Sequence, residues 1–239
     1  MTADATGRTR QALLAATAPV APLLIIAAAL IMPPGTDTIS DSNAANLALL
    51  ATVSRHRDMT ALTGLLVLFA LFSLVPFVTG LAGAVRERGA WLASLGSAMV
   101  VTGCFAAAVV NGFWFVNVKA TDPSLAGSRD AVARLIGLGH WSGYPLAVPH
   151  LVVLPLGWAL LAGARWRSQL APWWQAVLFG VSLPALMAAT DRWTALAGLL
   201  LLAAFVLLAP VVRGRRPAPP AVTIHTGRLT SHQTKPSQS

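Results

Sequence analysis

The sequence has 239 residues, 56% of them hydrophobic and only 10% charged. Soluble domains carry about 25% charged residues and show one apolar stripe per helix. Here the apolar residues come instead in long, nearly uncharged blocks, which argues against a water-soluble domain and for segments dissolved in lipid. The formal charge is +9, but the basic residues sit at the ends of the blocks and not on one face, which argues against a nucleic-acid partner.

Residues 1–11 form a short segment carrying Arg8 and Arg10. The first apolar block, 12–32, is long enough to cross a hydrocarbon core of about 30 Å. It contains Pro19 and Pro22, which spanning helices tolerate. It also exceeds the roughly 7–15 residues of a signal peptide's apolar region, which favours a retained helix over a cleaved one. Pro33-Pro34-Gly35 breaks it and opens a long loop, 33–60. Within that loop Asp41 or Ser42 can cap a short helix over 44–53, and Asp58 is the expected N-cap of the second span.

The second and third spans, 61–85 and 90–115, are joined by a tight turn holding Arg86 and Arg88. A second long loop, 116–144, follows. It contains Asp122-Pro123 and a short helix expected from 128 to 138, closed by Gly139. The fourth, fifth and sixth spans are 145–164, 173–190 and 193–212. Arg165 and Arg167 lie in the first of the two intervening turns and Asp191-Arg192 in the second. Residues 213–239 are rich in Pro, Ser, Thr and Arg without apolar periodicity, and are expected to be disordered.

The pattern predicts an all-α, polytopic membrane bundle: a transmembrane domain over 12–212 with six helices and two outer loops, and both termini in the cytoplasm. With that orientation eleven Lys and Arg lie inside and six outside. Six of the eight acids lie outside, so the inner face carries +9 and the outer face no net charge. This is the positive-inside distribution. The bilayer is the implied partner, and a protein partner or a second copy of the chain is compatible with the pattern.

Cys104 is the only cysteine, so neither a disulfide framework nor a Cys-based metal site can be built. Gly96, Gly103 and Ala107 form one small-residue stripe, and Ala159 with Gly163 another, as close helix packing in lipid requires. The stretch 74–88 aligns without a gap with 153–167, matching Pro76 to Pro155 and Arg86 to Arg165. It reads either as a duplicated hairpin or as the shared composition of two inner turns.

His150 is the one ionisable side chain placed within a span, and intramembrane ionisable groups are functional candidates by default. A neutral histidine bonded to a neighbouring carbonyl or water is the plainer reading. Asn111, Trp114, His140, Tyr144, Asp191, His56 and Asp58 fall at the same outer level. They form either a ligand-binding vestibule or an ordinary interfacial belt. A bis-histidine haem needs two matched histidines on facing helices. A zinc site drawn from His56, Asp58, His140, His150 and Asp191 lacks local ligand spacing. No cofactor is therefore expected.

The stretches LVPFVTGLAGAVRERGAWLASLG and LPLGWALLAGARWRSQLAPWW resemble a loose group of uncharacterised six-helix integral membrane proteins of high-GC Gram-positive bacteria, and His56 before the second span fits that pattern. The resemblance implies the topology and the plasma-membrane address, and it carries no activity or site. Two functional classes follow. One is a non-enzymatic accessory or partner-binding component, favoured by the scarcity of buried charge pairs. The other is a small-molecule permease or outward-facing binding protein, favoured by the possible repeat and by the outer polar cluster around His150. A membrane enzyme using His150 with Asp191 or Asp58 ranks third.

Overall fold

A computed structural model describes residues 18–35, 42–85, 88–142, 149–189 and 192–207. They form helices and connecting turns, with no strand among them. In chain order these are α1 (Val20–Ile31), α2 (Asn43–Arg55), α3 (Arg57–Ala84) and α4 (Ala90–Ala120), then a 3-10 turn (Pro123–Ser128) and α5 (Arg129–Ser142). A π-helical turn (Pro149–Val153) runs into α6 (Leu154–Arg167), followed by α7 (Trp173–Ala188) and α8 (Arg192–Val206).

Several boundaries depart from the sequence expectation for local reasons. Ser42 caps α2, its hydroxyl accepting from the Ala45 amide, and the helix covers the expected 44–53. The residue before α3 is His56, whose side chain makes no capping bond. Asp58 is thus not the N-cap. It lies exposed in the first turn, where a carboxylate complements the helix dipole. α4 runs on past 115 to Ala120 because Asn117 and Ala120 continue its buried face. Gly139 does not end α5, which extends to Ser142. The expected N-terminal segment 1–11, the tail 213–239 and the start of the fourth span at 145 lie outside the described residues.

Six helices form a closed ring in chain order: α1, α3, α4, α6, α7 and α8 each pack on the next, and α8 packs on α1. Neighbours run antiparallel, as the α4–α6 contacts show. Gly89, Gly96 and Gly103 face Ala164, Gly157 and Leu154 respectively. One end of the ring, the tight-turn end, holds Val85, Gly89 and the turn after Arg167. At the opposite, long-loop end α2 and α5 pack on each other. There Leu50, Ala120 and Ala133 form a small core of their own.

Four aromatic side chains pack together inside the ring. Phe77 of α3 stacks on Phe205 of α8 at 4.2 Å between ring centroids. Trp158 of α6 stacks on Phe179 of α7 at 4.2 Å and lies 5.8 Å from Phe205. The Trp158 indole N–H donates to the Phe179 carbonyl at 2.6 Å. Four helices are therefore joined through four buried rings.

The α4–α6 seam is built on glycine. A Cβ on Gly96 would sit 2.8 Å from the Gly157 carbonyl oxygen, and one on Gly157 would sit 2.7 Å from the Met99 Cβ. The stripe on α4 is as expected, whereas that on α6 is not. Gly163 has no atom within 4 Å of its Cβ position and Ala159 is exposed. The contact residue is Gly157, because it shares a face with Leu154 and Leu161.

The outside of the ring is apolar. Leu30, Phe69, Phe105, Leu156, Val177 and Leu199 are each at least half exposed, far more apolar surface than a water-soluble monomer presents. Among the described residues, α3 and α4, of 28 and 31 residues, are the two helices long and apolar enough to cross a membrane. They span roughly 42 and 46 Å at 1.5 Å per residue. α1, α7 and α8 are apolar but shorter, at 12, 16 and 15 described residues.

The aligned stretches 74–88 and 153–167 differ in structure. Pro76 lies inside a continuous helix, whereas Pro155 opens α6 after a π-helical turn. Phe77 is buried, and its matched position Leu156 is exposed.

Candidate functional site

The residues singled out at the long-loop end have separate structural duties. Asn111 is buried on α4, and its side-chain amide donates to the Gly64 carbonyl of α3 at 2.8 Å. That pairing places a polar group in a helix seam and satisfies it. Phe115, one turn on, packs over Gly64 at 3.3 Å from the Cβ position. Trp114 is half-buried beside it, while His56 and Asp58 are exposed. The backbone of His140 belongs to α5. Tyr144 and Asp191 lie outside the described residues.

The loops at this end are pinned by short polar contacts. Asn43 donates to Asp130 at 2.7 Å and Asn46 donates to the Ala133 carbonyl at 3.2 Å, tying α2 to α5. Asp122 closes the 3-10 turn, accepting from the Ser124 hydroxyl at 2.7 Å and the Ser124 amide at 3.1 Å. Lys119 lies 3.1 Å from its other oxygen and Arg57 3.9 Å. The Ser124 hydroxyl, then the Ser124 amide and Lys119, hold the Asp122 carboxyl down at about 2 from an ordinary 3.8. A carboxylate lowered in this way supports the fold while ionised, so its contribution is complete above pH 3.8 and is lost as pH falls towards 2. The stability difference between wild type and Asp122→Asn should accordingly be constant near neutral pH and close between about pH 4 and 2. Paired thermal melts across that window check it; a gap that persists at pH 2 would contradict the assignment.

His150 stands on the π-helical turn, half-buried. Its Nδ1 is buried and meets no protein hydrogen-bond partner. Among the described residues no group of three His, Cys, Asp or Glu is placed to hold a metal ion.

The opposite end of the ring carries a feature that the sequence reading missed. Arg165 is 1% exposed, and its Nε, Nη1 and Nη2 are all buried without a hydrogen-bond partner. The guanidinium lies over the Phe179 ring, 5.2 Å from its centroid. A desolvated cation–π contact contributes about 2 kcal/mol. An uncompensated buried charge costs several kcal/mol, and arginine cannot escape by losing its proton. The signal was present in the sequence. Trp158, Leu161, Ala162 and Arg165 follow i, i+3, i+4, i+7 spacing, which is a single helix face. Three of them are plainly core residues, so the fourth points inward too.

On the outer surface between α6 and α7, at the tight-turn end, two adjoining hollows of about 740 and 510 Å³ share Gly163, Trp166 and Trp173. The larger is edged by Arg167 and Gln169, the smaller by Ala159, Ala162 and Gly180. These are at the far end from the vestibule expected around His150.

No protein family, curated protein or solved structure matches this chain.

Proposed function

We propose that the chain is an integral membrane protein that crosses the bilayer six times, with both termini and the tight-turn end in the cytoplasm, and that it acts as a non-enzymatic, partner-binding component. The observation that carries the reading is the inverted arrangement of the ring: apolar outside, and filled by Phe77, Trp158, Phe179 and Phe205 inside. Aromatic rings stacked across the interior favour a scaffold over a conduit. The excess of basic residues at the tight turns favours the orientation. A bacterial plasma membrane fits this charge distribution, and a second copy of the chain fits the exposed apolar flanks.

The orientation is tested by single cysteines in a Cys104→Ala background. Ser128→Cys, exposed on the 3-10 turn, should react with a membrane-impermeant maleimide on intact cells. Gln169→Cys, exposed in the turn after α6, should react only after lysis. The reverse pattern would sink the orientation, and recovery of the protein in the soluble fraction would sink the membrane reading. Solute or proton flux into vesicles containing the purified protein, above that of empty vesicles, would sink the non-transport role.

An outward-facing ligand-binding protein is the second reading, favoured by the buried, unpartnered Nδ1 of His150. It requires His150→Ala to keep the fold and change uptake or ligand binding.

A further inference from the structure

The structure assigns an oxyanion site to the tight-turn end of the ring: we propose that the buried guanidinium of Arg165 binds a phosphate group, either the headgroup phosphate of an acidic phospholipid or free inorganic phosphate. The starting point is the unmet hydrogen-bonding demand. Five N–H donors in a fixed fork are withdrawn from water, and Phe179 supplies a ring face but no acceptor. Ala18, Ala21, Val85 and Ala164, which belong to the same buried core, offer no side-chain acceptor either.

The acids of the described residues are elsewhere. Asp58 opens α3 at the long-loop end, Asp122 is engaged by Lys119 and Ser124, and Asp130 is engaged by Arg134 and Asn43. The described charged side chains of the tight-turn end are all basic: Arg88, Arg165 and Arg167. Such an end attracts anions. A phosphate suits the donor set better than a halide because it meets the guanidinium fork with two parallel hydrogen bonds. Phosphate also fits the place, since an arginine at the inner end of a membrane bundle lies at headgroup depth. The lipid source rests on the membrane reading above, whereas the free-phosphate source needs only the ring.

The experiment uses the full chain, purified in a neutral detergent and stripped of lipid. Its thermal midpoint is followed with added phosphatidylglycerol, with phosphatidylcholine, and with sodium phosphate against sodium chloride at matched ionic strength. Phosphatidylglycerol or phosphate should raise the midpoint by roughly 5–10 °C near saturation, with phosphatidylcholine and chloride well below. A rise with phosphatidylglycerol alone identifies the lipid, and a rise with phosphate identifies the free ion. Arg165→Gln should abolish the rise, while Arg129→Gln, exposed at the long-loop end, should keep it. If Arg165→Gln does not fold, Arg165→Lys decides, because it keeps the charge without the fork. It should weaken the apparent affinity at least about tenfold, as loss of one charge-assisted hydrogen bond does. The proposal is overturned if no anion shifts the wild-type midpoint, or if the shift is unchanged in Arg165→Gln or Arg165→Lys. Failure of the cysteine labelling leaves these melts interpretable, so the two readings fail separately.

Discussion

Gly157→Ala is expected to force α4 and α6 apart and to destabilise the ring by about 2 kcal/mol. The added methyl would meet the Met99 Cβ at 2.7 Å, the Gly96 carbonyl oxygen at 2.8 Å and the Val100 amide nitrogen at 2.8 Å. None of these is the movable end of a side chain, so relief requires displacement of a helix. Overpacking of a well-filled core typically costs 1–3 kcal/mol, and a contact with backbone belongs at the upper end. Alanine is the better helix former by about 1 kcal/mol, which offsets part of the loss. Gly163→Ala is the matching control: nothing lies within 4 Å of its Cβ position, so only the propensity gain applies. Thermal melts of the two variants should therefore move in opposite directions, Gly157→Ala down by several degrees and Gly163→Ala level or slightly up. A Gly157→Ala protein as stable as wild type would mean that the α4–α6 seam is not this close.

The contrast between these glycines marks how far the sequence reaches. Long apolar blocks and basic turns are properties of composition, so the helices and their order were legible. α3 and α4 reach the length of a span on their own, and the short helices α2 and α5 lie where the polar loops placed them. Which face of a helix meets its neighbour was less legible. In an apolar helix of near-uniform hydropathy, neither burial nor exposure leaves a periodic mark, so Ala159 and Gly163 looked as good a seam as Gly157.

The same difficulty shaped the candidate site. Polar residues at a common depth are easy to group by sequence, yet depth does not fix azimuth around the ring. Asn111 turns to the Gly64 carbonyl and serves packing, His56 and Asp58 face outward, and His150 keeps a buried nitrogen without a partner. Arg165 was overlooked for the opposite reason. An arginine at a helix end satisfies the positive-inside pattern so readily that its place on the Trp158–Leu161–Ala162 face went unweighed.

The second large effect is expected at Trp158. Removal of a buried tryptophan or phenylalanine side chain costs about 3–5 kcal/mol, and Trp158→Ala should fall in that range because the indole is fully buried against Phe179 and Phe205. Its N–H bond contributes a smaller part that can be separated. The Phe179 carbonyl also accepts from the Ser182 hydroxyl at 2.7 Å, so it keeps a partner when the indole is lost. Trp158→Phe, which retains a ring and loses the donor, should thus cost only about 1–2 kcal/mol. Neighbouring substitutions should couple, because an aromatic pair contributes about 0.5–1.5 kcal/mol beyond burial. Trp158→Ala combined with Phe179→Leu should then be less damaging than the two added together. Equal losses for Trp158→Phe and Trp158→Ala would shift the weight from the stacked rings to the hydrogen bond. Strict additivity with Phe179→Leu would mean that the rings do not support one another, and the stacked interior that favours a scaffold over a conduit would have to be sought elsewhere in the ring.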